Sequence, residues 1–309
     1  MLKKMLKRGF WGRYLISVLH CVECAVLPRI ISDEKAVKRY YKKASGRELD
    51  LENPKTFSEK TNWLKLNARL PLMQKCADKY AVREYITEKG YGDCLNELYG
   101  VFYKVKDIRL EELPDQFVLK AAHGSHMNII VKDKSKVNWR QAKMMLNSWL
   151  HQDIYWAGRE WVYKDQPRRI IAEAFLQEST GELRDYKFFC FNGKPVYWEV
   201  DGDRYKPTQY RNYYDMDYNL LPMHDDVLSR ELDYLPVTRE NLDRMAKIAQ
   251  DLAEPFQFVR VDFYLVDGKI YFGELTYFDN GGKCCFEPIE FDRVFGDQWA
   301  LVKDVGLEQ

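Results

Sequence analysis

The chain has 309 residues, of which 46% are hydrophobic, so it can bury a large core and is not expected to be disordered or fibrous. Its 48 Lys and Arg residues nearly balance its 47 Asp and Glu residues. This balance argues against a protein that wraps nucleic acid, because such proteins carry a strongly basic surface. Any site for an anion must therefore depend on local charge.

The cysteines show no metal-binding pattern. There are seven, but Cys21 and Cys24 have no matching second pair, and Cys284 and Cys285 are adjacent. Reduced thiols with a structural role are therefore expected, and they favour a cytoplasmic location.

Residues 1–31 begin with a basic cluster, followed by two apolar runs that Pro28 ends. The segment is too short and too polar to span a membrane, and it lacks the small-residue cleavage site of a secretory signal. Two interpretations remain: a basic amphipathic helix on the anionic inner face of a membrane, or a helix packed on its own domain. The basic residues are Lys3, Lys4, Lys7, Arg8 and Arg13.

Helical periodicity dominates the next part of the chain. Residues 32–70 follow it, with a capping box that begins at Thr56. Residues 78–89 form another predicted helix, on which Lys79 and Arg83 share a face. A solvated basic face is the simpler interpretation of Arg83, whereas Lys79 is left open. Later helices are predicted at residues 139–155, 242–252 and 288–301.

A turn of small residues follows. Residues 117–122 and 129–131 predict two strands, with Gly124 and Ser125 in the turn between them. The backbone amides of such a turn can surround a phosphate, because no bulky side chain blocks the approach. Lys120 lies on the first strand, where a charge is unusual; a lysine that extends to the surface is the alternative.

Residues 169–175 predict a strand that contains Glu173 among apolar residues. A buried carboxylate costs several kcal/mol unless it is paired or hydrogen-bonded, so Glu173 is expected to meet a donor. The donor is either an amine of a ligand or a neighbouring Lys or Arg.

Two β-hairpins complete the pattern. The first has strands at residues 185–191 and 195–200 joined by an Asn-Gly pair, and it carries Lys187. The second spans residues 258–275 around an Asp-Gly pair. Both pairs suit tight turns between antiparallel strands.

The second hairpin carries two acids that its turn can bring together. Asp262 lies in the first strand and Glu274 near the end of the second. Two carboxylates held close together repel each other unless a cation lies between them, and oxygen ligands without His or Cys suit Mg²⁺. The alternative is that both acids are solvated strand residues.

In this order, the fragments resemble the ATP-grasp superfamily, and more closely its TupA-like branch of polysaccharide biosynthesis, named after teichuronopeptide synthesis. The resemblance covers roughly residue 53 to the C-terminus. It rests on six fragments: NPKTFSEK, DKYAVREYI, FVLKAAHGSHMNIIV, GREWVYKDQPRRIIAE, DYKFFCFNGKP and VRVDFYLVDGKIYFGELT.

The resemblance implies an α+β fold in which two lobes with antiparallel sheets clamp ATP, after a helical N-terminal region. The implied domains are a helical region at 1–75, a small α/β segment at 76–115, a lobe with the phosphate loop at 116–180 and a lobe with the Mg²⁺-binding hairpin at 181–309.

The same resemblance implies a role for each candidate site residue. Lys120 and Lys187 bind the ATP phosphates, and the turn at Gly124 and Ser125 closes over them. Glu173, with the backbone of Ala174 and Phe175, binds the adenine, and Glu178 holds the ribose. Asp262 and Glu274 bind Mg²⁺, and Arg260 stabilises charge on the transferred phosphoryl group.

The chain departs from the family pattern at one metal ligand. Many ATP-grasp ligases have Glu-x-Asn at this point, whereas Leu275 and Thr276 follow Glu274. Asn280 lies further on and is not a simple substitute. The departure leaves a second Mg²⁺ without its usual amide ligand.

The function implied is a ligase that uses ATP and Mg²⁺ to join a carboxylate to an amine on a cell-surface polysaccharide precursor, with a sugar or amino acid as acceptor. Arg204, Arg211 and His224 are candidates for the acceptor pocket, with ordinary surface or salt-bridge residues as the alternative. Three rival functions remain: an ATP-dependent phosphotransferase, a glycosyltransferase that uses Asp201-Gly202-Asp203, and a non-enzymatic scaffold at a membrane surface.

Overall fold

A computed structural model describes residues 9–26, 31–179, 181, 183–204, 206–232, 237–283 and 285–302, and the side chains of residues 20–26 are not part of the description. Within this part of the chain, two antiparallel sheets combine with helices, so the α+β expectation is confirmed. No helix among the described residues is long and apolar enough to cross a membrane.

The helices are α1 (Phe10–Val26), α2 (Asp33–Ser45), α3 (Phe57–Asn67), α4 (Pro71–Ala77), α5 (Val82–Glu88), α6 (Trp139–Leu150), α7 (Tyr155–Gly158), α8 (Arg239–Ala253) and α9 (Glu290–Gly296). The strands are β1 (Leu98–Phe102), β2 (Phe117–Ala121), β3 (Asn128–Val131), β4 (Ile170–Ala174), β5 (Asp185–Phe191), β6 (Lys194–Gly202), β7 (Tyr210–Asp215), β8 (Phe258–Val266) and β9 (Lys269–Thr276).

The first sheet has the order β1-β4-β2-β3. Strand β4, which carries Glu173, lies between β1 and β2. Val118 of β2 is the residue directly opposite Glu173. Strand β1 belongs to the predicted segment 76–115, so that segment contributes an edge to the sheet of the first lobe. Helix α6 packs against this sheet and buries Met145, Leu146 and Trp149.

The second sheet has the order β7-β6-β5-β8-β9 and contains both predicted hairpins. Asn192 and Gly193 have φ angles of 47° and 76°, and Asp267 and Gly268 have 48° and 81°. Positive φ at both central residues defines the type I′ turn, which matches the twist of paired strands. The hairpin predictions are therefore confirmed.

The second sheet is covered by helices on its apolar surface. Helix α8 packs against β5, β6 and β8. At one end of the sheet, Phe57 of α3 enters an aromatic cluster in which its ring lies 4.9 Å from Phe258 and 5.9 Å from Phe295 and Trp299. Such rings remove a large apolar area from water and fix α3 to the second lobe.

Helix α3 also holds a turn by polar contacts. Its predicted capping box at Thr56 is confirmed. Further along, Asn62 Nδ2 donates to the carbonyl of Gly282 at 2.7 Å, and Lys65 Nζ donates to that of Gly281 at 2.5 Å. Both carbonyls belong to the turn Asp279–Gly282, which borders the site described below.

Several predicted elements differ in extent. The helix predicted at residues 78–89 begins only at Val82, because Asp78 Oδ1 accepts the amides of Tyr80 and Ala81 and forms a turn. The helix predicted at 139–155 ends at Leu150, and that predicted at 288–301 spans only Glu290–Gly296. The strand predicted at 169–175 is one residue shorter at each end.

Cys76, Cys94 and Cys190 are buried thiols without a disulfide, as expected for a structural role, and Cys285 is half-buried, with its Sγ accepting from Asn280 Nδ2 at 3.3 Å. Cys284 and the side chains of Cys21 and Cys24 lie outside the described residues.

Candidate active site

Asp262 and Glu274 face each other directly across strands β8 and β9. The expectation that the hairpin brings these two carboxylates together is thus confirmed. A β-bulge lies beside the pair, because Phe263 is opposite Phe272 and leaves Gly273 as an extra residue. A Cβ atom on Gly273 would lie 2.9 Å from the carbonyl oxygen of Asp262, so the close approach requires glycine.

Arg260 connects this pair to a third acid. Its Nε and Nη2 atoms donate to the two oxygens of Asp262 at 2.8 and 2.7 Å, and its Nη1 donates to Asp279. Nη2 also lies 3.8 Å from Glu274 Oε1. The guanidinium of Arg260 therefore contacts three carboxylates, those of Asp262, Asp279 and Glu274.

Burial sets the charge state of this cluster. It raises the pKa of Asp262 to about 7, although the charge of Arg260 opposes the shift. It also raises the pKa of Asp279 against the same guanidinium. The pKa of Glu274 is lowered: burial opposes this, but the charges of Lys79 and Arg260 outweigh it. For Asp262 and Asp279, the positive charge of Arg260 therefore does not offset the cost of burying the carboxylate.

A cleft of about 420 Å³, open to solvent, lies beside the cluster. It is lined by both lobes and by the turn before α5. Lys79 joins its parts, because Nζ donates to the carbonyl of Gly124 at 2.7 Å and lies 3.8 Å from Glu274 Oε2. The lining residues are Lys79, Val82, Arg83, Leu95, Asn96, Lys120, Glu173, Leu176, Tyr264, Phe272 and Gly273.

Glu173 meets two basic side chains in this cleft. Lys120 Nζ donates to Oε2 at 2.7 Å, and Arg83 Nη1 donates to Oε1 at 3.4 Å. The donors expected for the buried carboxylate are therefore present within the protein. Arg83, for which a solvated face was the simpler expectation, has a side chain only 20% exposed.

The turn at Gly124 and Ser125 presents open amides. Among the described residues, no acceptor contacts the backbone N–H groups of Gly124, Ser125 or His126. His126 has a φ of 58°, which turns the chain sharply. Unpaired amides in such a turn form a concave anion site.

The segment after β4 leads from the first sheet to the second. The amide of Ala174 donates to the carbonyl of Glu97, and its carbonyl accepts from Asn96 Nδ2, so this backbone is already paired. Phe175 lies under Lys132, with Nζ 5.7 Å from the ring centroid. Glu178 is half-buried at the end of the segment.

Lys187 lies opposite Asp262 in the register of β5 and β8, next to the acidic pair. It is 7% exposed, and its Nζ donates to Glu199 at 2.5 Å and lies 3.7 Å from Asp201. The charge of Glu199 raises its pKa, although burial opposes that shift. In this structure its charge is directed to the acids of β6.

The three acceptor candidates lie in an ion-pair network and at a strand bridge. Arg211 contacts Glu199 and Asp201 at 3.0 and 2.9 Å and also pairs with Asp225, and Arg204 pairs with Asp185. His224 Nδ1 contacts the carbonyl of Asp225 at 2.7 Å, away from the cleft lining. The structure therefore groups the two arginines with each other and gives them buried partners.

Three residues at or near the acidic pair had no predicted role: Lys79, Asp279 and Glu160. Lys79 was left open as one member of a basic helix face. Asp279 precedes an Asn-Gly-Gly run, which signals a turn but not its partner. Glu160 Oε1 lies 3.4 Å from the position of a Cβ on Gly281, beside the same turn. Burial raises the pKa of Glu160, and the charge of Lys65 opposes the shift.

The described residues contain no cluster of three or more His, Cys, Asp or Glu side chains already arranged around a metal. The pair of Asp262 and Glu274 nevertheless fits a hard cation. Both supply carboxylate oxygens, which a hard cation prefers, and the two residues lie directly opposite each other on β8 and β9. The donor set matches Mg²⁺ better than a softer metal.

The described fold and site have the features expected of ATP-grasp proteins. These are two antiparallel sheets, an open cleft with basic side chains, and an acidic pair carried by adjacent strands. A family model described as TupA-like ATPgrasp matches residues 59–300. The chain belongs to this TupA-like ATP-grasp family.

Solved structures share the fold only distantly. A D-alanine–D-alanine ligase from Bacillus anthracis complexed with ATP is 17% identical over 66% of this chain and 54% of that chain, with a TM-score of 0.39. The ligase of the same name from Helicobacter pylori is 12% identical over 79% and 68%, with a TM-score of 0.43.

An L-amino acid ligase from Bacillus licheniformis is 14% identical over 72% of this chain and 44% of that chain, with a TM-score of 0.41. The chain thus spans about half the length of the Bacillus ligases. No curated protein matches the sequence. The family assignment rests on the family model.

Proposed function

We propose that this protein is an ATP- and Mg²⁺-dependent ligase that joins a carboxylate to an amine on a precursor of a cell-surface polysaccharide. The observation that carries the proposal is the contact of Lys79 with both the phosphate-type turn at Gly124 and the acid Glu274. This contact supports an anion site and a cation site next to each other, which a metal–nucleotide complex would require.

In this proposal, the nucleotide occupies the cleft. The open amides of the turn at Gly124, together with Lys79 and Lys120, bind its phosphates, while Leu176 and Phe272 offer apolar contacts for the base. Glu173 holds Lys120 in place by their 2.7 Å ion pair and remains the candidate for the adenine amino group. A buried charged pair is rigid, so the cleft is organised before the nucleotide binds.

Asp262 and Glu274 would hold Mg²⁺, which when bound neutralises phosphate charge and orients the phosphates. Arg260 fixes the rotamer of Asp262 by its two hydrogen bonds and links it to Asp279. Direct contact between Arg260 and the transferred phosphoryl group stays a prediction. Lys187 likewise needs to exchange part of its contact with Glu199 for phosphate.

The reaction proceeds in two transfers. A carboxylate oxygen of the substrate attacks the γ-phosphorus of ATP, the bond to the bridging oxygen breaks, and ADP leaves. The amine nitrogen of the second substrate then attacks the carbonyl carbon of the acyl phosphate, the carbon–oxygen bond breaks, phosphate leaves and the amine proton passes to solvent. Holding both partners in one cleft makes the second attack effectively intramolecular.

The polysaccharide substrate comes from the TupA-like resemblance. The glycosyltransferase alternative gains no support from the residues on which it relies. Asp201 is 2% exposed and accepts hydrogen bonds from Arg211 and Gln209, whereas Asp203 pairs with Lys206. The two carboxylates therefore have separate partners and do not converge on one metal.

Product analysis tests the proposed function. The protein is incubated with ATP, Mg²⁺, uronic acids and amino acids, alone and in pairs, and ADP, free phosphate and amides are measured. We expect ADP and phosphate in equal amounts with an amide product only when a carboxylate and an amine are both present. ADP with a phosphorylated sugar and no free phosphate would instead show a phosphotransferase, and turnover of nucleotide sugars alone would overturn the ATP site.

A further inference from the structure

Helix α1 carries an apolar stripe that the protein leaves uncovered. Trp11, Leu15, Val18 and Leu19 are 65%, 48%, 37% and 56% exposed. Their successive spacings of four, three and one residues place them on one side of a helix. They are four of the twelve large hydrophobic residues that are exposed in the described part of the chain, all within nine positions. This is a patch rather than scattered exposure.

The opposite side of α1 is fixed to the first lobe. Phe10 and Tyr14 pack against the core of the first sheet. Ser17 is buried, its hydroxyl lies 2.7 Å from that of Ser148 on α6, and Gln152 donates to it. The helix is therefore held on its own domain while its apolar stripe faces outward.

The distribution of charge along the chain indicates what kind of surface the apolar stripe matches. Residues 1–22 contain five basic and no acidic residues, whereas the whole chain has a net charge of +1, so residues 23–309 carry a net charge of −4. Residues 1–8 lie outside the described part, and their four charges are a property of the sequence. A local positive cluster next to an apolar stripe matches an anionic phospholipid surface, and the negative remainder of the protein would be repelled by it.

We infer that α1 docks the protein on an anionic lipid surface, with Trp11, Leu15, Val18 and Leu19 entering the interface and the positive charge of residues 1–22 favouring anionic headgroups. Since the helix is fixed to α6, docking places the first lobe next to the bilayer. This inference does not depend on the proposed ligase activity.

Vesicle co-sedimentation tests the inference with the full chain. Vesicles of phosphatidylcholine alone are compared with vesicles that contain phosphatidylglycerol, at low and high salt. We expect binding to the anionic vesicles, and weaker binding at high salt because screening shortens the range of the attraction. L15S/L19S should weaken binding roughly tenfold or more, since two buried leucines are lost from the interface.

Three further variants separate the causes. L228S removes a leucine that is 68% exposed elsewhere and should bind like the wild type. K3E/K4E should abolish the preference for anionic vesicles. W11S repeats the test at another position of the stripe, and thermal unfolding of each variant checks that it is folded.

Two results would overturn the inference. One is a wild-type protein that ignores anionic vesicles or binds them as well after L15S/L19S. The other is a wild-type dimer that L15S/L19S converts to a monomer, measured by light scattering, without any vesicle binding; the stripe would then face a second copy of the chain.

Discussion

Lys120 brings a positive charge from the first lobe into the cleft. It is a strand residue whose neighbours Leu119 and Ala121 are fully buried, and its Nζ contacts Glu173 at 2.7 Å. Arg83 contacts the same carboxylate. Glu173 therefore keeps a cationic partner when Lys120 is removed, which makes Lys120 suitable for substitution.

Replacing Lys120 with Met should weaken ATP binding by roughly 10–100-fold, the value of a hydrogen bond between charged groups. Stability should change little, because Arg83 remains beside Glu173. Calorimetric titration with ATP measures the effect. Lys136→Met, at a side chain that is 82% exposed, is the control and should bind ATP as the wild type does. Equal affinity of both variants would contradict a phosphate role for Lys120.

Lys65 is a buried cation on α3, with 1% of its surface exposed. Burial lowers its pKa to about 8, while the charge of Glu160 opposes the shift. In the unfolded chain the pKa of a lysine is about 10.4. Between these two values the unfolded state binds more protons than the folded state, so stability rises with pH in this window.

The free energy of unfolding should therefore increase from pH 8 to pH 10, by up to about 1.4 kcal/mol per pH unit from this one group. Below pH 8 the full cost of burying the charge is present. Denaturant unfolding at successive pH values measures the slope in the wild type and in Lys65→Met. The difference in slope between them should disappear outside this window; parallel curves from pH 8 to 10 would contradict a depressed pKa of Lys65.

At the scale of elements, the hairpin of β8 and β9 positions the acidic pair of the site, and its geometry follows from the local sequence. Its bulge at Gly273 lets Glu274 stand opposite Asp262, and its turn at Gly268 sets the register. The two glycines do different things. A Cβ at Gly273 would meet the Asp262 carbonyl at 2.9 Å, whereas one at Gly268 would meet nothing within 4 Å.

Gly273→Val should push β9 away from β8 and misplace Glu274. We expect Mg²⁺-dependent ATP binding to fall by roughly 10–100-fold, as when a ligand-orienting contact is lost. Gly268→Ala is the matched control in the same hairpin. Its positive φ makes alanine cost about 1–2 kcal/mol of stability, but the carboxylate pair is untouched and ATP binding should persist. Loss of binding in both variants would point to general damage to the hairpin.

Both hairpins could be predicted because an alternating pattern and a two-residue turn are local signals. The edge strands β1 and β7 were not predicted. Strand β1 has a glycine at position 100 and a register shift beside it. Strand β7, with the sequence YRNYYD, carries charge and aromatic rings on an edge and lacks the apolar alternation of a half-buried strand. Strand β1 is held by a partner distant in sequence, β4, whereas β7 pairs with the preceding strand, β6.

The same limit applies to the site. The pairing of Asp262 with Glu274 followed from one turn, so the sequence was sufficient for it. Contacts of Lys79 with Glu274 and of Arg260 with Asp279 require loops that tertiary packing positions, and no local pattern encodes them. Lys187 and Glu199 face each other across the predicted hairpin of β5 and β6, so this pairing was also within reach of a local turn, and only its burial depends on tertiary packing.

At the scale of the whole molecule, charge is concentrated where the lobes meet. One sheet brings Lys120 and Glu173, the other brings Asp262 and Glu274, and Lys79 contacts the turn of the first and the acid of the second. In the proposed function, neither lobe alone supplies both the anion site and the cation site. Nucleotide binding should therefore depend on Mg²⁺ and on both lobes together.

The most direct measurement is calorimetric titration of ATP with and without Mg²⁺, on the wild type, on Glu274→Gln and on Glu287→Gln. Glu287 is the control, since its side chain is 75% exposed and lies outside the cleft lining, with Oε2 3.9 Å from His224 Nε2. We expect Mg²⁺ to strengthen ATP binding in the wild type and in Glu287→Gln. In Glu274→Gln, the affinity for ATP in the presence of Mg²⁺ should be roughly 10–100-fold lower, because the gain from Mg²⁺ is lost. Binding of ATP that ignores both Mg²⁺ and Glu274→Gln would contradict this expectation.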